Sequence, residues 1–369
     1  EQLNFCSMTV LLVIGILGFL IVVHEVGHFL VAKLFGVRVE EFGVGYPPRA
    51  FTFGKWRDTE YTLNWIPFGG FVRLFGDIGE GQHGKGSFVD KGRGVQAIIL
   101  VAGVFMNLVA AWGLFFGALS IGVPRVVEEV TPGTHQWLLI ADVVPGSPAA
   151  AAGIIAGDQL VDVSASDGNA PEALTPGSVT EFVRARGGES LEFSYLRAGV
   201  TSVVTVRPAH AVIPDAAEQP AVGISLVMVS TEPLPPSQAA KEAFFTTWDA
   251  FGTVAGGLWG ILKDMFSGKP AFQNIVGPVG LVGVVGQAAE TGLGNVLALA
   301  AFISVNLVII NLIPIPALDG GRLFILGVEA VIRRNASRIA LRILNALGIA
   351  FVIFLMVTVT YNDIARLLS

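Results

Sequence analysis

Cysteine occurs once in 369 residues, at Cys6. One thiol excludes an internal disulfide framework and any Cys-rich zinc site. Charge is also scarce. Only 14% of residues are Asp, Glu, Lys or Arg, against about 25% in ordinary soluble domains. The formal net charge is −6, so the chain has no basic footprint and no nucleic-acid partner is expected. What fills the space is apolar. Residues of hydrophobic type make up 53% of the chain, which points to a membrane protein with the lipid bilayer as its solvent.

A helix needs about 20 apolar residues to cross a bilayer core. Four stretches qualify: 9–32, 95–121, 295–318 and 341–359. The first lacks a basic start and an obvious A-x-A site, so it is expected to be a retained span rather than a cleaved leader. Residues 1–7, ahead of Met8, read as a tag remnant, and Cys6 is given no role. Two spans carry ionisable groups. His24, Glu25 and His28 lie in the first, and Asp319 closes the third. Such groups are costly in hydrocarbon and default to a functional reading.

The basic residues set the expected orientation. Loop 33–94 holds nine Lys/Arg and loop 320–342 holds five. The positive-inside rule puts both in the cytoplasm and puts 122–294 outside. The latter carries eight Lys/Arg and seventeen Asp/Glu, a balance of 8 − 17 = −9. The histidines, close before Lys33, then sit toward the cytoplasmic half of the membrane.

The expected domains follow. Residues 8–121 hold two spans with an intervening β-region in 33–94. There Phe51, Phe53, Trp56, Tyr61, Trp65 and Phe71 cluster among Gly54, Pro67, Gly69 and Gly70, which predicts a hairpin or small sheet associated with the membrane. Residues 122–230 have the short strands and Gly/Pro turns of a soluble α/β domain. Residues 231–294 read as a Pro-rich linker and an amphipathic helix over 237–266, either interfacial or packed on the soluble domain. Residues 295–369 hold the last two spans.

His24-Glu25-Val26-Gly27-His28 is an H-E-x-x-H motif. Residues four apart on a helix share a face, so both imidazoles reach one ion. Zinc favours nitrogen ligands and acidifies water, and Glu25 is one step round to take the proton. A catalytic zinc usually has a third protein ligand. His83, His135 and His210 lie in loops or in the outer domain, which leaves Asp319 as the candidate. Pro314 and Pro316 break the helix ahead of it. Broken backbone at membrane depth implies a cavity. The competing reading of Asp319 is a cap on the helix that starts at Gly320.

Together, the first-span motif and Asn311-x-x-Pro-x-Pro-x-Leu-Asp319-Gly-Gly resemble the site-2 protease family of intramembrane zinc metalloproteases. The regulator of sigma-E protease group of bacteria is most similar. Pro67-Phe-Gly-Gly-Phe-Val-Arg, Gly277-Pro-Val-Gly and Ile303-Ser-Val-Asn-Leu extend the resemblance across most of the chain. It implies a polytopic α-helical protein of the bacterial inner membrane. It implies Zn2+ on His24, His28 and Asp319, with Glu25 as general base. Asn311 and Asn107 are implied as substrate-contacting. The family motif around Asn107 has a proline that Gly103-Val-Phe-Met-Asn lacks, and an interhelical hydrogen bond is the alternative role.

Val143-Val-Pro-Gly-Ser-Pro-Ala with Gly157-Asp-Gln-Leu resembles one PDZ module. Such a module takes an extended peptide by strand addition or acts as a size filter above the entrance. The implied substrates are single-span membrane proteins trimmed on the outer side, of the anti-sigma-factor or remnant-signal-peptide type. Two rivals stay open: a transporter with polar residues lining an ion path, and a membrane-anchored PDZ scaffold with a dead metal site.

Overall fold

The computed structural model describes residues 2–77, 82–127, 135–212, 218–267, 277–334 and 336–368. The chain divides into two compact units, Glu1–Ile121 with Leu234–Ser369, and Gly122–Pro233.

The first unit begins with α1 (Gln2–Leu34), continues through β1 (Val39–Trp56) and β2 (Thr59–Leu74), and reaches α2 (Arg93–Ile121). After the second unit it resumes with α5 (Pro236–Phe266), α6 (Pro278–Thr291), α7 (Leu293–Leu312), α8 (Asp319–Ile332) and α9 (Arg338–Leu368). Among the described residues, four segments are long and apolar enough to cross a membrane: Ser7–Leu34, Arg93–Ile121, Leu293–Leu312 and Ile339–Arg366. These are the four expected spans, with one correction. The third ends at Leu312 rather than 318. Ile313, which precedes Pro314, is extended at ψ 137°, because a residue before proline is pushed out of the helical region. Asp319 therefore does not close the third span. It is the first residue of a new helix whose N-cap is Leu318.

The turn between α7 and α8 is tight. A Cβ on Gly320 would lie 2.5 Å from the carbonyl carbon and oxygen of Leu312, and one on Gly321 would strike Ile315 and Pro316. The paired glycines let α8 double back against the end of α7. The loop is braced by α9, where Asn345 accepts from the Ala317 N–H at 3.1 Å.

The expected β-region is present, and its two long strands pair twice. Residues 39–44 of β1 pair with both 70–74 and 60–63 of β2, and 49–56 of β1 pair with 59–64 of β2. Glu41 pins this register. It is buried and accepts from Thr62 Oγ1 at 2.8 Å, Arg49 Nη2 at 2.9 Å and Arg73 Nη2 at 3.2 Å. Phe51, Phe53, Trp56 and Trp65 are exposed on the outer part. The second half of β2 has β1 on one side and no strand partner on the other among the described residues.

The region 231–294 holds two helices rather than the one expected. Helix α5 packs on α2 and α7 within the first unit, with Trp112 Nε1 donating to the Ala240 carbonyl at 3.1 Å. Phe244, Phe245, Trp248 and Trp259 stay exposed along it. Helix α6 starts where Asp363 of α9 accepts from the backbone N–H groups of Gly277 at 3.1 Å and Gly280 at 2.8 Å. That carboxylate satisfies donors which every helix start leaves open.

The second unit is an antiparallel six-stranded sheet of β3 (Arg125–Val127), β4 (Gln136–Val143), β5 (Gln159–Ala165), β6 (Leu191–Arg197), β7 (Val200–Val206) and β8 (Ile224–Ser230), in the order β3-β8-β4-β5-β6-β7. Helices α3 (Pro148–Ala151) and α4 (Pro176–Arg184) complete this α/β unit. Its core gathers Leu138, Ile140, Val163, Val179, Leu191 and Phe193. Strand β6 alternates Leu191, Phe193 and Tyr195 inward, as a half-buried strand must.

The Gly157-Asp158 turn is locked electrostatically. Asp158 accepts from Arg197 Nε at 2.6 Å and Nη2 at 2.7 Å. The paired guanidinium holds the Asp158 carboxyl below its usual range. Its folded pKa thus lies below the unfolded value of about 3.9, so the pair's stabilisation is present above that pH and is lost as pH falls through the folded pKa. Asp158→Asn should destabilise this unit by about 1–3 kcal/mol at pH 7, and the gap from wild type should close in acid. Hydrogen exchange of residues 135–212, wild type against variant at matched pH, checks this. A gap of equal size at pH 7 and pH 3 would contradict the assignment.

Candidate active site

Helix geometry brings the first-span pair together. His24 and His28 are both buried on one face of α1, their rings edge-to-face with centroids 4.8 Å apart. The break after α7 delivers Asp319 to them. His24 Nε2 lies 2.9 Å and His28 Nε2 3.3 Å from Asp319 Oδ2, and the two Nε2 atoms are 3.1 Å apart. Ligand atoms about 2.0–2.1 Å from a tetrahedral zinc stand about 3.3 Å from one another. The spacing and the donor set, two imidazoles and a carboxylate, therefore fit zinc. Among the described residues this is the one His/Cys/Asp/Glu group close enough to hold an ion.

Helix α2 forms the back wall, running antiparallel to α1. His28 Nδ1–H donates to the Ile99 carbonyl at 2.8 Å, which leaves Nε2 as the free lone pair. Gly103 faces both rings. A Cβ there would overlap His28 Nε2 and come within 2.8 Å of His24 Cε1 and Nε2. The absence of a side chain at 103 makes room for the ligand atoms.

The front is a cavity of about 360 Å³ lined by His24, Glu25, His28, Asp319 and Arg322, and by residues 70–74 of β2. Glu25 faces this cavity beside the imidazoles. The backbone of β2 runs against it, and a Cβ at Gly70 would sit 3.1 Å from Glu25 Cγ. A carboxylate here can exchange a proton with water or substrate in the cavity. Arg322 reaches Asp77 at 3.4 Å across the same space.

The other expected residues divide. Asn107 is fully buried, with its Nδ2 3.3 Å from His24 Nδ1. It touches an imidazole and has no accessible surface of its own. Asn311 stays half-buried in the last turn of α7 and is not among the cavity-lining residues. The break at 313–318 carries Asp319 back to the histidines and leaves Asn311 on the preceding helix. His83 pairs with Asp90 at 2.6 Å, and His210 with the Glu218 carbonyl at 2.9 Å. Sequence reasoning missed Arg322 and Asp77. Arg322 was findable, since three residues after Asp319 on a helix is the same face.

A paired imidazole, a converging carboxylate and a glutamate open to a cavity make a metallopeptidase centre, here at membrane-span helices. Comparison with known proteins agrees. A family model described as Peptidase family M50 matches residues 12–355. A Clostridium perfringens protein with a provisional zinc-metalloprotease name is 35% identical over 347 residues, covering 94% of this chain and 95% of its own. The zinc metalloprotease RasP of Geobacillus kaustophilus is 27% identical over 424 residues, covering 96% and 97%. Among solved structures, the PDZ domain of an SdrC-like protein from Listeria monocytogenes aligns at 19% identity over 27% of this chain and 93% of its own, with a TM-score of 0.21. The chain belongs to peptidase family M50, the site-2 type of zinc-dependent, membrane-embedded metalloprotease.

Proposed function

We propose that this protein cuts single-span membrane proteins within or near their membrane segment, with His24, His28 and Asp319 holding zinc and Glu25 as general base. The convergence of those three ligand atoms beside Glu25 carries the reading. When bound, zinc supplies a Lewis acid for the scissile carbonyl and acidifies water. Glu25 takes the proton of the attacking water and returns it to the leaving nitrogen. The β2 wall and the ligand residues confine substrate backbone to one side of the imidazoles.

A helical substrate must unwind first, because its carbonyls are already hydrogen-bonded. Residues 70–74 of β2 line the cavity and, among the described residues, have one edge without a strand partner, which supports capture of the unwound segment by strand addition. Proline placed in turn at Phe71, Val72 and Arg73 should reduce cleavage by about tenfold or more where the lost N–H points away from β1, at about 1.4 kcal/mol per tenfold, with zinc content unchanged. Wild-type cleavage by all three variants would remove the strand-addition step.

Family membership supports a bacterial inner-membrane location, and the distribution of Lys and Arg supports an orientation with the PDZ-like unit outside and the site toward the cytoplasm. Substrates of the anti-sigma-factor or remnant-signal-peptide type fit this arrangement, with the PDZ-like unit either binding a peptide or excluding untrimmed proteins. The test is cleavage in detergent of single-span proteins, full-length and trimmed on the outer side, with and without chelator. The reading expects chelator-sensitive cleavage that favours the trimmed form. Cleavage that survives zinc removal would overturn it.

A further inference from the structure

The stripe that α2 turns toward the imidazoles has a regular spacing. Ile99, Gly103 and Asn107 are four residues apart, so they share one face of the helix. Against the antiparallel α1, Ile99 meets His28, Gly103 meets both rings, and Asn107 meets His24. An imidazole that offers Nε2 to a cation carries its proton on Nδ1, and that N–H needs an acceptor. His28 has the Ile99 carbonyl. Among the described residues, His24 Nδ1 has the Asn107 amide, 3.3 Å away.

That amide is an unusual neighbour. Asn107 is fully exposed to nothing but protein, at 0% accessible surface, and its Oδ1 has no hydrogen-bond partner. A buried acceptor left without a donor costs about 1–3 kcal/mol. The two ends of a primary amide have nearly the same shape, and a half-turn about Cβ–Cγ exchanges them in place. With Nδ2 toward the ring, His24 keeps its proton on Nε2, where it bonds Asp319 at 2.9 Å. With Oδ1 toward the ring, the orphaned acceptor takes the Nδ1–H and the Nε2 lone pair is free. Behind it, Ser304 Oγ of α7 donates to the Asn107 backbone carbonyl at 2.8 Å and does not touch the amide. We infer that Asn107 is a positioning residue whose side-chain oxygen accepts from His24 Nδ1–H and so sets the metal-binding tautomer of His24.

The inference rests on the proposed zinc site, and the experiment separates the two. Zinc affinity of the full chain in detergent is measured by chelator competition for wild type, His24→Ala, Asn107→Ala, Asn107→Leu, Asn107→Asp and Ser304→Ala, with thermal unfolding of each. Asn107→Ala and Asn107→Leu should bind zinc about 10–100-fold more weakly. Asn107→Asp, which keeps an acceptor, should bind at least as tightly as wild type. Ser304→Ala, which loses only the contact behind the backbone, should stay within about threefold. Saturating zinc should restore cleavage in Asn107→Ala to near the wild-type maximum, an outcome that a substrate-contacting role would not give. Either apolar variant that folds and matches wild-type affinity overturns the inference. If both fail to fold, Asn107→Asp decides: weaker binding than wild type overturns it. If wild type itself binds no better than His24→Ala, the zinc site falls first and takes this inference with it.

Discussion

Glu25→Gln should bind zinc at the wild-type level and cut at least about a hundredfold more slowly, since a positioned acid-base group contributes about 10²–10⁴ in rate. Glutamine keeps the length and shape of the side chain. It still faces the cavity that His24, His28 and Asp319 line, but it cannot take a proton from water or return one to an amine. The substitution leaves all three ligand atoms in place, so metal content separates chemistry from assembly. Zinc analysis of the purified variant beside a single-span cleavage assay gives both numbers. Cleavage within tenfold of wild type at equal zinc content removes Glu25 from the role of base.

Gly103→Val should abolish tight zinc binding, with affinity falling by at least about a hundredfold, the upper end of what removing a supporting contact around a metal ligand costs. The reason is space. Any Cβ at 103 overlaps His28 Nε2 and crowds His24 Nε2 and Cε1, and the obstacle is a ring held at its far side by the Ile99 carbonyl. Valine adds two methyl groups to that collision. Its branch disfavours a helix only slightly, so helix content by circular dichroism should be near wild type. A variant that folds and binds zinc at wild-type affinity would show that the rings can move away from α2, and that the back wall does not fix the site.

Much of this was legible in the sequence because bilayer spans and metal motifs are local patterns. The His24/His28 pair needs only the helical period, and four apolar runs of about 20 residues are read by length. The aspartate was findable because Pro314 and Pro316 mark a break at membrane depth. The exact exit of α7 was not, since hydropathy continues through Ile313, Ile315 and Leu318 while the backbone has already left the helix. Helix α6 escaped because Gly277-Pro278 reads as a turn, and its start is completed by Asp363 from a helix some eighty residues later. The same distance problem hid the pairing of Arg322 with Asp77 and the approach of Gly70 to Glu25. Asn107 was singled out by motif, but its burial against His24 depends on how two distant helices pack and was not legible.

The most direct test is the zinc coordination of the purified full chain by X-ray absorption, wild type against Asp319→Ala. The account predicts one zinc per chain with imidazole and light-atom scatterers in wild type, and loss of the ion or of one oxygen ligand in the variant. Full occupancy with an unchanged first shell in Asp319→Ala would contradict the shared site of the first helix and the α8 aspartate.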